Sequence, residues 1–198
     1  MKVIGITGGV GAGKSEVLKL IKESCDCFIL IADQVAHEIE QKGFPCYDAL
    51  VSLLGEEILD EKCEIDRKRM AARIFAKDAG GLLKQVNAII HPAVKAHILH
   101  LIEEKRQEGT VQYFFIEAAL LIEDGYTEIC DELWYIHASK EVRIRRLMES
   151  RGYSRQKVEQ IMERQSAEAV FLKHCKVVIN NDGNLKVTKE QIIKQLGE

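Results

Sequence analysis

The 198-residue sequence has no CxxC pair, no apolar run near the ~20 residues that cross a bilayer, and no large surplus of either charge. Each absence removes a class of function. The six cysteines, at 25, 27, 46, 63, 130 and 175, are scattered. Cys25 and Cys27 stand too close for zinc-finger spacing, and the set reads as reduced thiols. A net charge of -3 gives no bulk attraction for nucleic acid, so no nucleic-acid partner is expected and any anion must be held by a local site. The opening residues MKVIGITGG are too short and glycine-broken for a secretory leader. A soluble, cytoplasmic protein with no membrane partner is expected. There are two prolines, Pro45 and Pro92, and no proline-rich linker, repeat or low-complexity tract. The length fits one compact domain with insertions. Oligomeric state leaves no signature.

What is present is a core and a pattern. Hydrophobic residues make up 46% and charged residues 30%, enough for a packed interior under a solvated surface. Apolar runs at 2–7, 27–32, 112–116, 132–138 and 176–180 predict five strands. They are continuously apolar rather than alternating, as in a parallel sheet covered on both faces. Helical periodicity falls at 15–24, 33–41, 46–54, 66–77, 79–108, 139–151, 154–173 and 187–196. Pro92 is expected to kink or split the long one. Strands alternating with helices predict an α/β doubly wound fold. Two stretches, about 34–109 and 139–173, carry helices without strands and read as insertions over the strand ends.

The strongest signal is GITGGVGAGKSEVLKLI. Gly8, four residues, Gly13, Lys14 and Ser15 match GxxxxGK[ST], with a strand before and a helix opening inside. The loop Gly8-Gly9-Val10-Gly11-Ala12-Gly13 turns backbone N–H groups toward one point, and the helix start adds partial positive charge. Lys14 supplies a full charge for the terminal phosphates, and the Ser15 hydroxyl a ligand for Mg2+. The loop is that of a P-loop NTPase-type fold and calls for ATP or GTP. No NKxD guanine-reading motif is present, and Asp78-Ala-Gly-Gly81 matches DxxG without a strand leading into it. The chain is short for a motor. A kinase of a small acceptor remains.

Asp33 follows the second strand directly, where open α/β sheets hold ligands. It is either a base for an attacking hydroxyl or the N-cap of the next helix. Arg143, Arg145, Arg146 and Arg151 cluster on one predicted helix, as a solvated face or a phosphate clamp. His91 precedes the helix-breaking Pro92 and is a capping or core histidine, or a contact to the acceptor.

Beyond the loop come ADQVAHEIEQKG, FPCYDAL, IDRKRMAARIF, VNAIIHPAV, EAALLIEDGY, RIRRLMESRGYS, RQ and VINNDGNL, in that order. The chain, from residue 3 to about 193, resembles the dephospho-CoA kinase family. That resemblance implies transfer of the ATP γ-phosphoryl group to the ribose 3′-hydroxyl of dephospho-CoA, the last step of coenzyme A synthesis. It implies a nucleotide-binding core at about 1–32, 110–138 and 174–198, an acceptor-binding insertion at about 33–109 and a lid at about 139–173. It makes Asp33 the base and places Lys14 and Arg146 on the transferred group. ATP contacts would come from the loop through Ser15 and Glu16, and from Arg146 and Arg151. Arg67, His91 and Glu117 would join Asp33 at the acceptor, Arg67 meeting a phosphate or pairing with a carboxylate. Glu117 would join Ser15 at magnesium.

Three positions depart from the family pattern. Asp-Ala-Asp is here Ile31-Ala32-Asp33, so the first carboxylate is absent. Asp-x-Pro-Leu-Leu is here Glu117-Ala-Ala-Leu120-Leu121, with a longer acid and no proline. The usual threonine after Ser15 is Glu16, which favours the helix dipole yet stands near phosphate. Two other readings stay open: another small P-loop kinase, or a nucleotide-binding regulator without transfer activity.

Overall fold

The computed structural model describes residues 1–76, 80–118 and 120–197. The DxxG aspartate Asp78, Ala119 of the family segment, and residues 77 and 79 at two predicted helix ends lie outside the described residues. In chain order the elements are β1 (Lys2–Thr7), α1 (Lys14–Ser24), β2 (Cys27–Ile31), α2 (Ala32–Ile39), α3 (Pro45–Leu54), α4 (Arg67–Ile74), α5 (Leu82–Glu108), β3 (Tyr113–Glu117), β4 (Glu132–His137), α6 (Lys140–Arg151), α7 (Arg155–Glu163), α8 (Glu168–His174), β5 (Val177–Asn180) and α9 (Leu185–Leu196). Short 3-10 turns at Glu56–Ile58 and Tyr126–Glu128 join them. The chain divides into two compact units: Met1–Ile31 with Lys105–Glu198, and Ala32–Glu104.

The first unit is built on a five-stranded sheet in the order β2-β3-β1-β4-β5, with every pairing parallel. The central strands are apolar in their middles, at 3–6, 114–116 and 133–136, because neither face meets water there. Trp134 and Tyr135, adjacent on β4, point to opposite faces. Trp134 packs with Val17 and Ile21 of α1 and Ile192 of α9, its ring 5.7 Å from that of Phe115. Tyr135 stacks on Phe171 of α8, ring centroids 4.9 Å apart. Helices thus cover both faces. Trp134, Phe114 and Phe115 are fully buried, each removal from water favouring the fold by about 1.5–3 kcal/mol. The sheet places β1 between β3 and β4, so the loop after β1 opens where the strand order reverses.

The predicted helix over 154–173 is two helices, α7 and α8. The break is made by contacts that periodicity does not register. The Gln165 side chain accepts from the Val10 N–H, and the Ser166 hydroxyl donates to the Glu123 carboxylate.

The second unit is helical. Pro45 stands at the start of α3, where its missing N–H costs nothing. Asp66 caps α4, its carboxylate accepting from the N–H groups of Lys68 at 2.8 Å and Arg69 at 3.2 Å. Of the two expectations for Pro92, a kink or a split, the split does not occur: Pro92 sits inside one continuous helix. The buried stripe Val94, Ile98 and Ile102 follows it at four-residue spacing, and that packing outweighs one lost backbone bond.

Candidate active site

Two glycines of the loop are demanded by close approach. Gly8 has φ +153, and a Cβ there would lie 2.5 Å from the Ile136 carbonyl oxygen. Gly13, at φ +86, is the N-cap of α1, and a Cβ would run into the Asn181 amide. Lys14, Ser15 and Glu16 therefore form the first turn of α1, the end at which a helix leaves N–H groups over, although that of Glu16 is taken by the Gly13 carbonyl at 3.1 Å. The Lys14 ammonium curls back over the loop, donating to the Gly8 carbonyl at 3.0 Å and pairing with Glu117 at 3.3 Å. Glu117 closes β3, in register with Ile6 of β1 and Ile31 of β2. Ser15 is exposed. The Glu16 carboxylate pairs with Lys19, one turn along α1, at 3.1 Å. Its charge is met on its own helix.

The arginine helix α6 meets the loop through Arg143 and Arg146. Arg143 donates from Nε to the Val10 carbonyl at 2.8 Å and from Nη2 to Gln165 at 2.8 Å, its guanidinium lying against Gly9. Burial pulls the Arg143 pKa below its ordinary value. Arg146 donates to the carbonyls of Ala12 at 3.3 Å and Asn181 at 2.7 Å. Asn181, 1% exposed, also donates its amide to Ala12, at 2.9 Å, while the Thr188 hydroxyl donates to its oxygen at 3.1 Å. Arg151 ends α6, exposed, with its guanidinium 6.0 Å from the Tyr153 ring centroid. Arg145 is also exposed. Sequence reasoning favoured Arg146 and Arg151 and gave no role to Gln165 or Asn181. The signal for Asn181 was there: three polar residues, Asn180 to Asp182, at the end of an apolar strand.

A cavity of about 330 Å³ opens beside Gly9 and Arg143, lined also by Tyr135, His137, Gln165 and Glu168. His137 pairs with Glu168 at 3.2 Å, and burial pushes the Tyr135 hydroxyl up to about 12.

In the second unit Asp33 falls inside the first turn of α2 rather than ahead of it, with its side chain exposed. His37 stands one turn further on the same face. Arg67, at the start of α4, contacts His37 and grips the buried Glu40 carboxylate through Nε at 3.2 Å and Nη2 at 3.1 Å. Of the two expectations for Arg67, the carboxylate pairing is present, and half of its side chain stays exposed. His37 thereby links Asp33's helix face to Arg67. His91 is exposed on α5, just before Pro92.

The family model for dephospho-CoA kinase matches residues 2–187. A dephospho-CoA kinase of Streptococcus agalactiae is 35% identical over 195 residues, 98% of this chain and 97% of that one. A solved protein of Thermus thermophilus is 28% identical with a TM-score of 0.78, over 98% of this chain and 95% of its own. A solved dephospho-CoA kinase of Campylobacter jejuni, 23% identical, has the same fold at a TM-score of 0.72, over 100% of this chain and 97% of its own. With a phosphate loop after β1, a lysine and carboxylate beside it, and a match over nearly its whole length, the chain belongs to the dephospho-CoA kinase family, the kinases of the final step of coenzyme A biosynthesis.

Proposed function

We propose that the chain transfers the γ-phosphoryl group of ATP to the ribose 3′-hydroxyl of dephospho-CoA, releasing ADP and CoA. The observation that carries this reading is the Lys14 ammonium, held on the glycine loop between the Gly8 carbonyl and Glu117. The hydroxyl oxygen attacks the γ-phosphorus, its proton passes to Asp33, and the bond to the β-phosphate breaks. Lys14 stabilises charge on the transferred group, helped by Arg146. The loop at 8–15 wraps the phosphates and Glu16 adjoins it. The cradle comes from the loop N–H groups not already bonded within the protein, as those of Val10, Ala12 and Glu16 are. Arg151, at the exposed end of α6, is the arginine available to close over them, with residues 139–173 acting as lid.

Residues 33–109 hold the acceptor in this reading. Arg67 keeps its exposed face for a phosphate of dephospho-CoA while Glu40 fixes its orientation. His91 lies on the same insertion.

Magnesium suits the donors present. The exposed Ser15 hydroxyl and the Glu117 carboxylate are hard oxygens, and Mg2+ takes few protein ligands alongside phosphates and water. When bound, the ion neutralises phosphate charge. Among the described residues no helix is long and apolar enough to cross a membrane; a cytoplasmic location is part of the proposal.

The test is an assay of the purified protein with ATP and dephospho-CoA, beside nucleosides and nucleoside monophosphates. ADP and CoA should appear with dephospho-CoA alone. Turnover of another acceptor instead would overturn the assignment. ATP binding without any phosphorylation after long incubation would make the chain a regulator.

A further inference from the structure

Val10 is gripped on every side by the segment after β4. Its side chain packs against the cluster of Ile144, Leu147 and Val158, together with Tyr153 and Met162. Its N–H donates to Gln165 Oε1 at 3.0 Å, and its carbonyl accepts from Arg143 Nε at 2.8 Å. Gln165 Oε1 also accepts from Arg143 Nη2 at 2.8 Å, which closes a ring of three hydrogen bonds. One amide oxygen therefore fixes both a loop N–H and the guanidinium that holds the same residue's carbonyl. Gln165 itself is anchored by its own N–H, which donates to the Met162 carbonyl at 3.1 Å.

The chemistry of the side chain matters. Val10 lies within the glycine loop, in which Gly8 and Gly11 have φ angles of +153 and +79. Glycine-rich backbone does not hold such a curve unaided. The grip on Val10 limits the conformations the loop samples before ATP arrives. A neutral acceptor does this without placing a carboxylate beside the phosphates.

We propose that Gln165 is a positioning residue for phosphoryl transfer. Acting through the Val10 backbone and Arg143, it holds the loop in the shape that receives the ATP phosphates. This rests on the kinase reading above, and a direct binding measurement separates the two.

The experiment compares Gln165→Met, which keeps length and loses the acceptor, with the native chain. ATP affinity is measured by calorimetry without acceptor, then kcat and both KM values are measured with dephospho-CoA. Kd and KM for ATP should rise about 10-fold, the scale of losing a hydrogen bond to a charged group, with kcat and the acceptor KM within about twofold. The Arg143→Met, Gln165→Met double variant should bind ATP no more weakly than the worse single variant. A drop in kcat at unchanged KM for ATP would make the role merely structural. Tighter ATP binding would make the Gln165 oxygen a stand-in for phosphate. Either result overturns the proposal. If circular dichroism finds Gln165→Met unfolded, Gln165→Asn keeps the amide, withdraws it by one methylene and should show the same ATP-specific loss. A weakened ATP Kd in a chain that does not phosphorylate dephospho-CoA would leave the positioning role standing and remove the acceptor assignment alone.

Discussion

Lys14 Nζ stands 3.3 Å from a carboxylate oxygen of Glu117 and 3.0 Å from the Gly8 carbonyl. Both side chains are less than a fifth exposed, so the pair is shielded from solvent more than a surface ion pair is. A phosphate oxygen is the same kind of acceptor. In the proposed reaction Lys14 would exchange these oxygens for those of a phosphate. Lys14→Met should lower kcat by at least ~10²-fold. The urea midpoint should fall only modestly, by the equivalent of about 1.5–3 kcal/mol, since the variant leaves the Glu117 carboxylate without its charged partner. Parallel activity and urea titrations check this.

Asp33→Asn separates a base from a helix-dipole group. If Asp33 takes the hydroxyl proton, kcat should fall by at least ~10²-fold with ATP affinity unchanged. A near-normal rate would leave only the carboxylate's favourable place in the first turn of α2, worth about 0.3–1 kcal/mol of stability. Steady-state kinetics and a thermal melt on one preparation give both numbers.

Acid should loosen the joint between the end of β5 and the start of α6. The Ser139 N–H donates to Asp182 at 2.6 Å and, as the largest cause, holds that carboxyl below its ordinary range. The native form thus binds its proton less readily than the unfolded chain. The stabilisation is present above about pH 4 and is lost as pH falls through the lowered native value. Asp182→Asn should be less stable than the native chain at pH 7, with the difference shrinking in acid. Urea midpoints at a series of pH values test it.

Thr7 ends β1 with 1% exposure, and its hydroxyl has no hydrogen-bond partner among the described residues. A buried hydroxyl left unpaired costs about 1–3 kcal/mol. Thr7→Val, nearly the same shape, should raise the urea midpoint. A lower midpoint would mean that a bound water satisfies that oxygen.

The strands were readable because burial on both faces writes itself as unbroken apolar runs, so 27–32 and 132–138 differ from β2 and β4 by one residue each. The glycine loop was readable because backbone strain and phosphate chemistry restrict it to few residue types. What periodicity could not supply were features made by distant partners. The gap between α7 and α8 depends on Gln165 and Ser166 reaching Val10 and Glu123. The unbroken passage of α5 through Pro92 depends on a buried stripe beyond it. Glu16, ambiguous beside a phosphate loop in the sequence, pairs with Lys19 one turn along. Arg143 was one of four similar arginines in the sequence; only the carbonyl of Val10 and the amide of Gln165 distinguish it.

Val10 carries a last consequence. Its backbone belongs to the loop, but its side chain belongs to the cluster of Ile144, Leu147 and Val158. The size of this residue is thus dictated by helix packing rather than by ATP. A survey of loop substitutions scored only by catalysis would record Val10→Ala as a nucleotide-contact defect, when the fault begins in an emptied corner under α6 and α7.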